Sequence, residues 1–167
     1  SGKVLEVPCG TGFFLCEFLR KNPNWFGTGV DLADASIEFS QTLFQINNIS
    51  KNSYKILKMN FHHLEPDEKY DRILCGEFME HLEDPFAALK RLNSLLLDNG
   101  KMFITVAVWA AHIDHIFLYK KPQDVRDHIE KAGFRIENEL VQTEHVRIPQ
   151  SWGDIKEIKD AFSKIMQ

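Results

Sequence analysis

The stretch that decides the fold is Val4-Leu5-Glu6-Val7-Pro8-Cys9-Gly10-Thr11-Gly12-Phe13-Phe14-Leu15. Residues 4–7 read as a short apolar strand interrupted by one acid. A turn with two glycines follows, and then Phe14, Leu15, Phe18 and Leu19 recur at helical spacing. Strand, glycine turn and helix in that order bring backbone close to a nucleotide-like ligand at the carboxyl end of a parallel strand. Gly10 and Gly12 lack a Cβ, so the turn can take positive φ and a ligand can approach the main chain.

The rest of the chain repeats this alternation. Helix one spans about 12–20 and stops at Asn22-Pro23-Asn24, because proline excludes its predecessor from α space. Residues 26–30 read as strand two, ending at Asp31, and the next helix buries Ile37, Leu43, Phe44 and Ile46. Strand three covers 54–59 and ends at Asn60; a polar loop with solvent-side His62 and His63 leads to strand four over 71–75. Asp84-Pro85 starts a helix as N-cap acid and first-turn proline, with Ala88, Leu89, Leu92, Leu95 and Leu96 inward and Asn99-Gly100 closing it. The β-branched run 102–108 suits a strand buried on both faces. A helix from Pro122 carries Val125, Ile129 and Ala132 inward, residues 134–141 read as strand six, and a last helix carries Ile155, Ile158, Phe162 and Ile165. The pattern predicts one α/β domain over residues 1–167, Rossmann-like and doubly wound, with a mostly parallel sheet and right-handed crossovers.

Composition narrows the class. The 167 residues suffice for one buried core, and 44% apolar with 26% charged residues is ordinary for a globular domain. A net charge of −4 offers no basic surface for nucleic acid. No apolar run reaches membrane-span length, and no signal peptide precedes the first strand. Cys9, Cys16 and Cys75 are odd in number and lack zinc-ligand spacing, so they read as small buried residues in a reducing compartment. The expectation is a cytoplasmic enzyme domain without nucleic-acid or membrane partners. Nothing in the sequence points to an oligomeric state.

Four motifs in order carry a family resemblance: Glu6-Val7-Pro8-Cys9-Gly10-Thr11-Gly12, Gly29-Val30-Asp31, Glu80-His81-Leu82-Glu83-Asp84-Pro85 and Asp98-Asn99-Gly100-Lys101. Together, over roughly residues 3–141, they resemble the class I S-adenosylmethionine (SAM) dependent methyltransferases, in the branch of ubiquinone- and menaquinone-biosynthesis enzymes. Pro8 departs from the pattern, standing where the family usually has glycine.

The resemblance implies a cofactor site. Glu6 organises the glycine turn and, often through water, the methionine ammonium. Pro8, Gly10, Gly12 and Phe13 form the turn beneath methionine and ribose. Asp31, 19 residues past Gly12, takes both ribose hydroxyls. Asn60 stands where the family commonly has Asp for the adenine amino group, with Phe61 and Leu32 flanking the ring. Gly76, Glu77 and Phe78 lie beneath the sulfonium, where a carboxylate or aromatic face favours a cation. A Rossmann NAD site is the alternative, but it requires a third glycine where Leu15 stands.

The implied chemistry is in-line SN2 transfer of a methyl group to an O, N or C atom of a small-molecule acceptor. A base is needed where the acceptor arrives protonated. His81 is the first candidate, since it follows strand four and titrates near neutrality; phosphoethanolamine methyltransferases, which this region resembles, use a histidine in a similar place. The second set is His112, His115 and Tyr119 in the loop after strand five, which in this fold lines the acceptor pocket, with Trp109 and Phe117 as apolar walls. As a metal site, His112-Ile113-Asp114-His115 offers two imidazoles and one acid without an obvious fourth ligand, so no metal is expected. A loop-holding role for these residues stands beside the catalytic one. The family's N-terminal lid helix does not precede strand one, and residues 144–148 make no convincing seventh strand, which together predict a truncated fold. Two classes therefore stay open: an active small-molecule methyltransferase, or a non-catalytic SAM-binding module of a larger biosynthetic protein.

Overall fold

The computed structural model describes residues 1–65 and 67–142. The chain divides into two compact units, Ser1–Glu137 and Asn138–Gln167. The first holds every regular element: β1 (Lys3–Glu6), α1 (Phe13–Lys21), β2 (Phe26–Asp31), α2 (Asp34–Ile46), β3 (Tyr54–Lys58), β4 (Tyr70–Gly76), α3 (Pro85–Leu95), β5 (Leu96–Thr105) and α4 (Pro122–Lys131). Of the second unit, the described residues 138–142 carry no regular secondary structure.

All five strands are parallel, in the order β3-β2-β1-β4-β5. The chain winds outward from β1 to β3, then returns to place β4 on the other side of β1. The order thus reverses between β1 and β4, and in open α/β sheets the crevice at that reversal receives the ligand. Glu6 ends β1 and Gly76 ends β4, so both stand at the crevice.

Side-chain alternation along the strands feeds two cores. Val4 joins Leu15, Cys16, Leu19 and Phe44 from α1 and α2 on one face. Leu5 joins Ile73, Leu89, Leu92 and Leu95 on the other, where α3 packs. Fully burying one such leucine contributes roughly 1.5–3 kcal/mol. Asp84 caps α3 as its sequence predicts: its Oδ1 accepts from Ala87 N–H at 2.9 Å, with Pro85 in the first turn. Such a cap stabilises by about 1 kcal/mol.

Several expectations need correction. Residues 134–142 form no strand. Phe134 and Ile136 have the alternating pattern, but a strand exists only with a paired neighbour, and alternation does not supply one. Arg135 and Lys101 instead pair with Glu137. Asn99-Gly100 does not close α3, which ends at Leu95; those residues lie in β5, where the register with β4 shifts between Tyr70 and Arg72. Ile46 is exposed rather than buried. The seventh-strand reading at 144–148 and the last helix lie outside the described residues. Among the described residues, no helix is long and apolar enough to cross a membrane.

Candidate active site

The carboxyl end of β1 builds the first half of the site. After Glu6 the Val7–Pro8 peptide is cis, and Gly10 and Gly12 both take positive φ, 48° and 72°. Their reasons differ. A Cβ on Gly12 would press on Ser40 Oγ at 2.8 Å, so glycine serves packing there. A Cβ on Gly10 would meet nothing within 4 Å, so glycine there leaves room over the turn. That room belongs to a cavity of about 360 Å³ lined by Glu6, Pro8, Cys9, Gly10, Thr11, Phe13, Phe14, Gly76 and Glu77. Its size falls in the range of small-molecule sites. A larger cleft of about 460 Å³, lined by Lys69, Asp71 and Leu96–Asn99 residues, opens at the amino ends of β4 and β5. Ligands of open α/β sheets bind at the opposite, carboxyl end, so the smaller cavity is the candidate.

Two acids set the electrostatics of that cavity. Glu6 is only 3% exposed. Leu15 N–H donates to its Oε2 at 3.3 Å. Burial pushes its carboxyl up to about 8, against the backbone N–H groups of Leu15 and Phe14, and the charge of Asp31 adds to the rise. Burial and the same two acids push the Cys9 thiol up to about 12. The carboxylate of Asp31 holds two backbone segments: Gly10 N–H donates to Oδ2 at 2.8 Å and Ala33 N–H to Oδ1 at 2.9 Å. Asp31 is thus a turn-organising residue, and each oxygen keeps a lone pair for a ligand hydroxyl. A cation entering here meets two carboxyls and no competing positive charge among the groups that shift Glu6.

The adenine side is less open than the sequence suggests. Asn60 Oδ1 accepts from His62 N–H at 3.0 Å, capping the short turn Phe61–His63. Phe61 is buried, its ring 5.4 Å from that of Phe78, so the structure places it in the core instead of against a ligand ring. Leu32 is 65% exposed and free to pack on a ring.

The carboxyl end of β4 builds the second half. Glu77 has φ 45°, with its N–H donating to Thr105 O at 3.2 Å and to Thr105 Oγ1 at 3.1 Å. The short turn Met79–His81 follows. Glu80 carbonyl oxygen accepts from Ile116 N–H (2.8 Å) and Phe117 N–H (2.9 Å), which straps the loop after β5 onto this turn. The strap gathers residues far apart in sequence. His81 and His115 rings lie edge to face, 5.0 Å between centroids, and His112 lies 5.5 Å from His115. His81 Nδ1 is 2.9 Å from Asp114 O, His115 Nδ1 is 2.7 Å from Ala110 O, and His112 Nδ1 bonds Asp114 Oδ1.

Of the four acceptor-side candidates, the structure therefore unites His81, His112 and His115. Tyr119 is different: it is 1% exposed, and its hydroxyl lies 3.1 Å from His128 Nδ1. Burial, then the charge of Glu80, push its phenol up. It supports the loop from inside the core and is not presented to an acceptor. Sequence reasoning missed Glu80 itself. It stands there only as the first residue of the Glu80–Pro85 motif, with no role of its own, yet it is 1% exposed. Burial raises its pKa, with Glu77 adding and His81 opposing. Ser40, whose Oγ donates to Gly10 O at 3.0 Å, was also missed; no local signal distinguishes it from any helix serine.

The family described as methyltransferase domain matches residues 5–102. The chain belongs to that family. Over 104 residues it is 30% identical to the ubiquinone biosynthesis O-methyltransferase of Neisseria meningitidis serogroup C (strain 053442), covering 62% of this chain and 43% of that protein. PKMT2 from Rickettsia typhi in complex with AdoHcy is similar at 30% identity and TM-score 0.55, over 62% of this chain and 20% of that one. The [4+2]-cyclase SpnF, at 16% identity and TM-score 0.71 over 83% of this chain and 52% of that one, shows the fold alone. The chain spans less than half the length of the curated relatives it matches. It is a class I SAM-dependent methyltransferase domain, and SAM is its cofactor.

Proposed function

We propose that this domain transfers a methyl group to an O, N or C atom of a small-molecule acceptor, with the cofactor in the cavity under the glycine turn. The observation that carries the reading is a pair of acids without a cation, buried Glu6 and half-buried Asp31, beside a cluster of imidazoles at the end of the neighbouring strand. Bound there, the cofactor supplies a methyl group on a positively charged sulfur, an electrophile that needs alignment more than activation.

Each chain residue then has a defined task. Glu6 receives the ammonium, and Asp31 accepts the ribose hydroxyls while still holding Gly10 and Ala33. Pro8, Gly10, Gly12 and Phe13 shape the floor; Gly76, Glu77 and Phe78 close it from β4. Leu32 covers the adenine ring, and the free lone pair of Asn60 Oδ1 takes its amino group. His81, His115 and His112 meet the acceptor and handle its proton. Exposed Trp109, Ile113 and Ile116 supply apolar surface around them.

A second reading, a SAM-binding module without transfer, has one observation in its favour. SpnF shares the fold and is described as a cyclase, so the fold by itself does not determine the reaction. Calorimetric titration with SAM, S-adenosylhomocysteine and NAD tests the cofactor site: the first two bind and NAD does not. Transfer of labelled methyl to a panel of phenols, amines and activated methylenes then separates the two readings. Binding of NAD in place of SAM would refute both.

A further inference from the structure

We propose that Glu80, His81 and His115 form a divalent-cation site beside the cofactor cavity. One ligating atom from each of the three lies within 4.8 Å of the others. In sequence, His115 stands 34 residues beyond His81; the strap from Ile116 and Phe117 N–H to Glu80 O brings it there.

Three observations favour a cation over a loop fastened by hydrogen bonds. The first is Glu80: it is 1% exposed, and neither carboxylate oxygen has a hydrogen-bond partner. Buried carboxylates are normally paired, hydrogen-bonded or bound to metal; the carboxyl that acts on this one is another acid, Glu77, which brings no positive charge. The second is the tautomer of the imidazoles. His81 Nδ1 and His115 Nδ1 each face a backbone carbonyl, Asp114 O and Ala110 O. A carbonyl only accepts, so Nδ1 carries the proton and Nε2 keeps the lone pair in both rings. Fixing a ligating histidine through its other nitrogen in this way is the usual support for metal ligands. The third is the surrounding charge: Asp114 and His112 form a second group with His115, also within 4.8 Å, and place another carboxylate next to the site. Metal–ligand bonds of about 2.0–2.2 Å would set the three atoms roughly 3 Å apart, so binding draws the group together slightly.

Two imidazoles and a carboxylate suit a first-row divalent ion such as Zn²⁺, Mn²⁺ or Co²⁺, and three protein ligands leave coordination positions open. Glu77, whose charge acts on Glu80, lines the cofactor cavity and stands between it and the ion site. The ligand class this selects is an acceptor bearing a hydroxyl oxygen, held by the ion next to the methyl donor; with both imidazoles ligating, the ion favours loss of the hydroxyl proton and takes the place of the base role given to His81 and His115 above. That use rests on the methyl-transfer reading; the ion site does not.

The test is titration of chelator-treated protein with Co²⁺, followed by its visible absorption, with Zn²⁺ competition by calorimetry, all without SAM. One ion per chain is expected, and loss of affinity of roughly 10–100-fold or more in His115→Ala and in Glu80→Gln. His63→Ala, an exposed histidine elsewhere, leaves binding unchanged. If Glu80→Gln fails to fold, His115→Ala and His81→Ala decide the matter. No stoichiometric Co²⁺ or Zn²⁺ binding, or binding unaltered in both histidine variants, overturns the proposal. SAM titration of the same samples reports separately: lost SAM binding with intact Co²⁺ binding strikes the cofactor reading alone.

Discussion

Replacing Glu6 by glutamine should make the empty domain more stable and the loaded one weaker. The native carboxyl ionises near pH 8 against an ordinary value of 4.5, mainly because it is buried. The folded protein therefore holds more protons than the unfolded chain between those values, and stability falls as pH rises through that window. Integrating the two titrations gives a cost of about 1 kcal/mol near pH 5, about 3 kcal/mol near pH 7 and about 5 kcal/mol well above pH 8. Glutamine keeps an oxygen for Leu15 N–H and cannot ionise, so Glu6→Gln removes that cost. Its new amide hydrogens lack an assured partner, which takes back about 1 kcal/mol. Urea unfolding should thus show the variant about 2 kcal/mol more stable near pH 7 and no more stable near pH 5.

Ligand binding runs the other way. An ammonium group beside Glu6 favours its ionised form, so binding of SAM releases a proton and affinity rises with pH, by up to about tenfold per unit below pH 8. Measurements below about pH 7.5 keep the ligand's own α-amino group charged. Calorimetry in two buffers of different ionisation enthalpy reads the proton directly. Glu6→Gln should bind more weakly and with little pH dependence. Equal pH-independent affinity in both proteins, or destabilisation of the variant at neutral pH, would refute the assignment of Glu6 as the counter-charge.

Asp31→Ala should weaken SAM binding by about 1.5–3 kcal/mol, since a charged acceptor is lost while Gly10 and Ala33 N–H groups are freed; calorimetry reads it. Gly12→Ala should lower stability by about 1–3 kcal/mol in urea, because φ is 72° and Ser40 blocks the Cβ. Gly10→Ala should lose about 1–2 kcal/mol of stability to its positive φ alone, with no added clash, yet also lose SAM affinity, because its methyl occupies open ligand space. His81→Ala should retain SAM affinity and lower turnover by roughly 100- to 10,000-fold.

The parallel sheet was legible because apolar strands, glycine turns and Asp84-Pro85 are local signals, each readable within a few residues. Asp31 was legible for the same reason, as the acid at the tip of a strand. What stayed hidden depends on contacts between distant segments. Phe61 looks available to a ligand until the Phe78 ring is placed against it. Tyr119 looks catalytic until its hydroxyl is found inside, on His128. The residues at 112–115 look like a self-contained loop cluster until Glu80 and His81, which follow another strand, are found beside His115. The apolar alternation at 134–141 signals a strand, yet strand formation is decided by pairing, which no single segment encodes.

Glu6 and Glu80 are two instances of one physical situation. Each is a nearly inaccessible carboxyl close after a strand that borders the crevice, β1 in one case and β4 in the other. Neither is offset by a lysine or arginine of this chain among the described residues. Burying an acid without a cation opposes folding by several kcal/mol. A core residue of similar size would avoid the cost, and positive charge arriving from outside would offset it. The two arrivals differ in kind: an organic ammonium in the roomy cavity at Glu6, and a compact metal ion where two imidazoles face Glu80. Each bound ligand then stabilises the fold by mass action, because the unfolded chain offers neither arrangement. A domain built this way is least stable when empty, and a bound ion would add to the tie that Ile116 and Phe117 N–H already make between the β4 turn and the loop after β5.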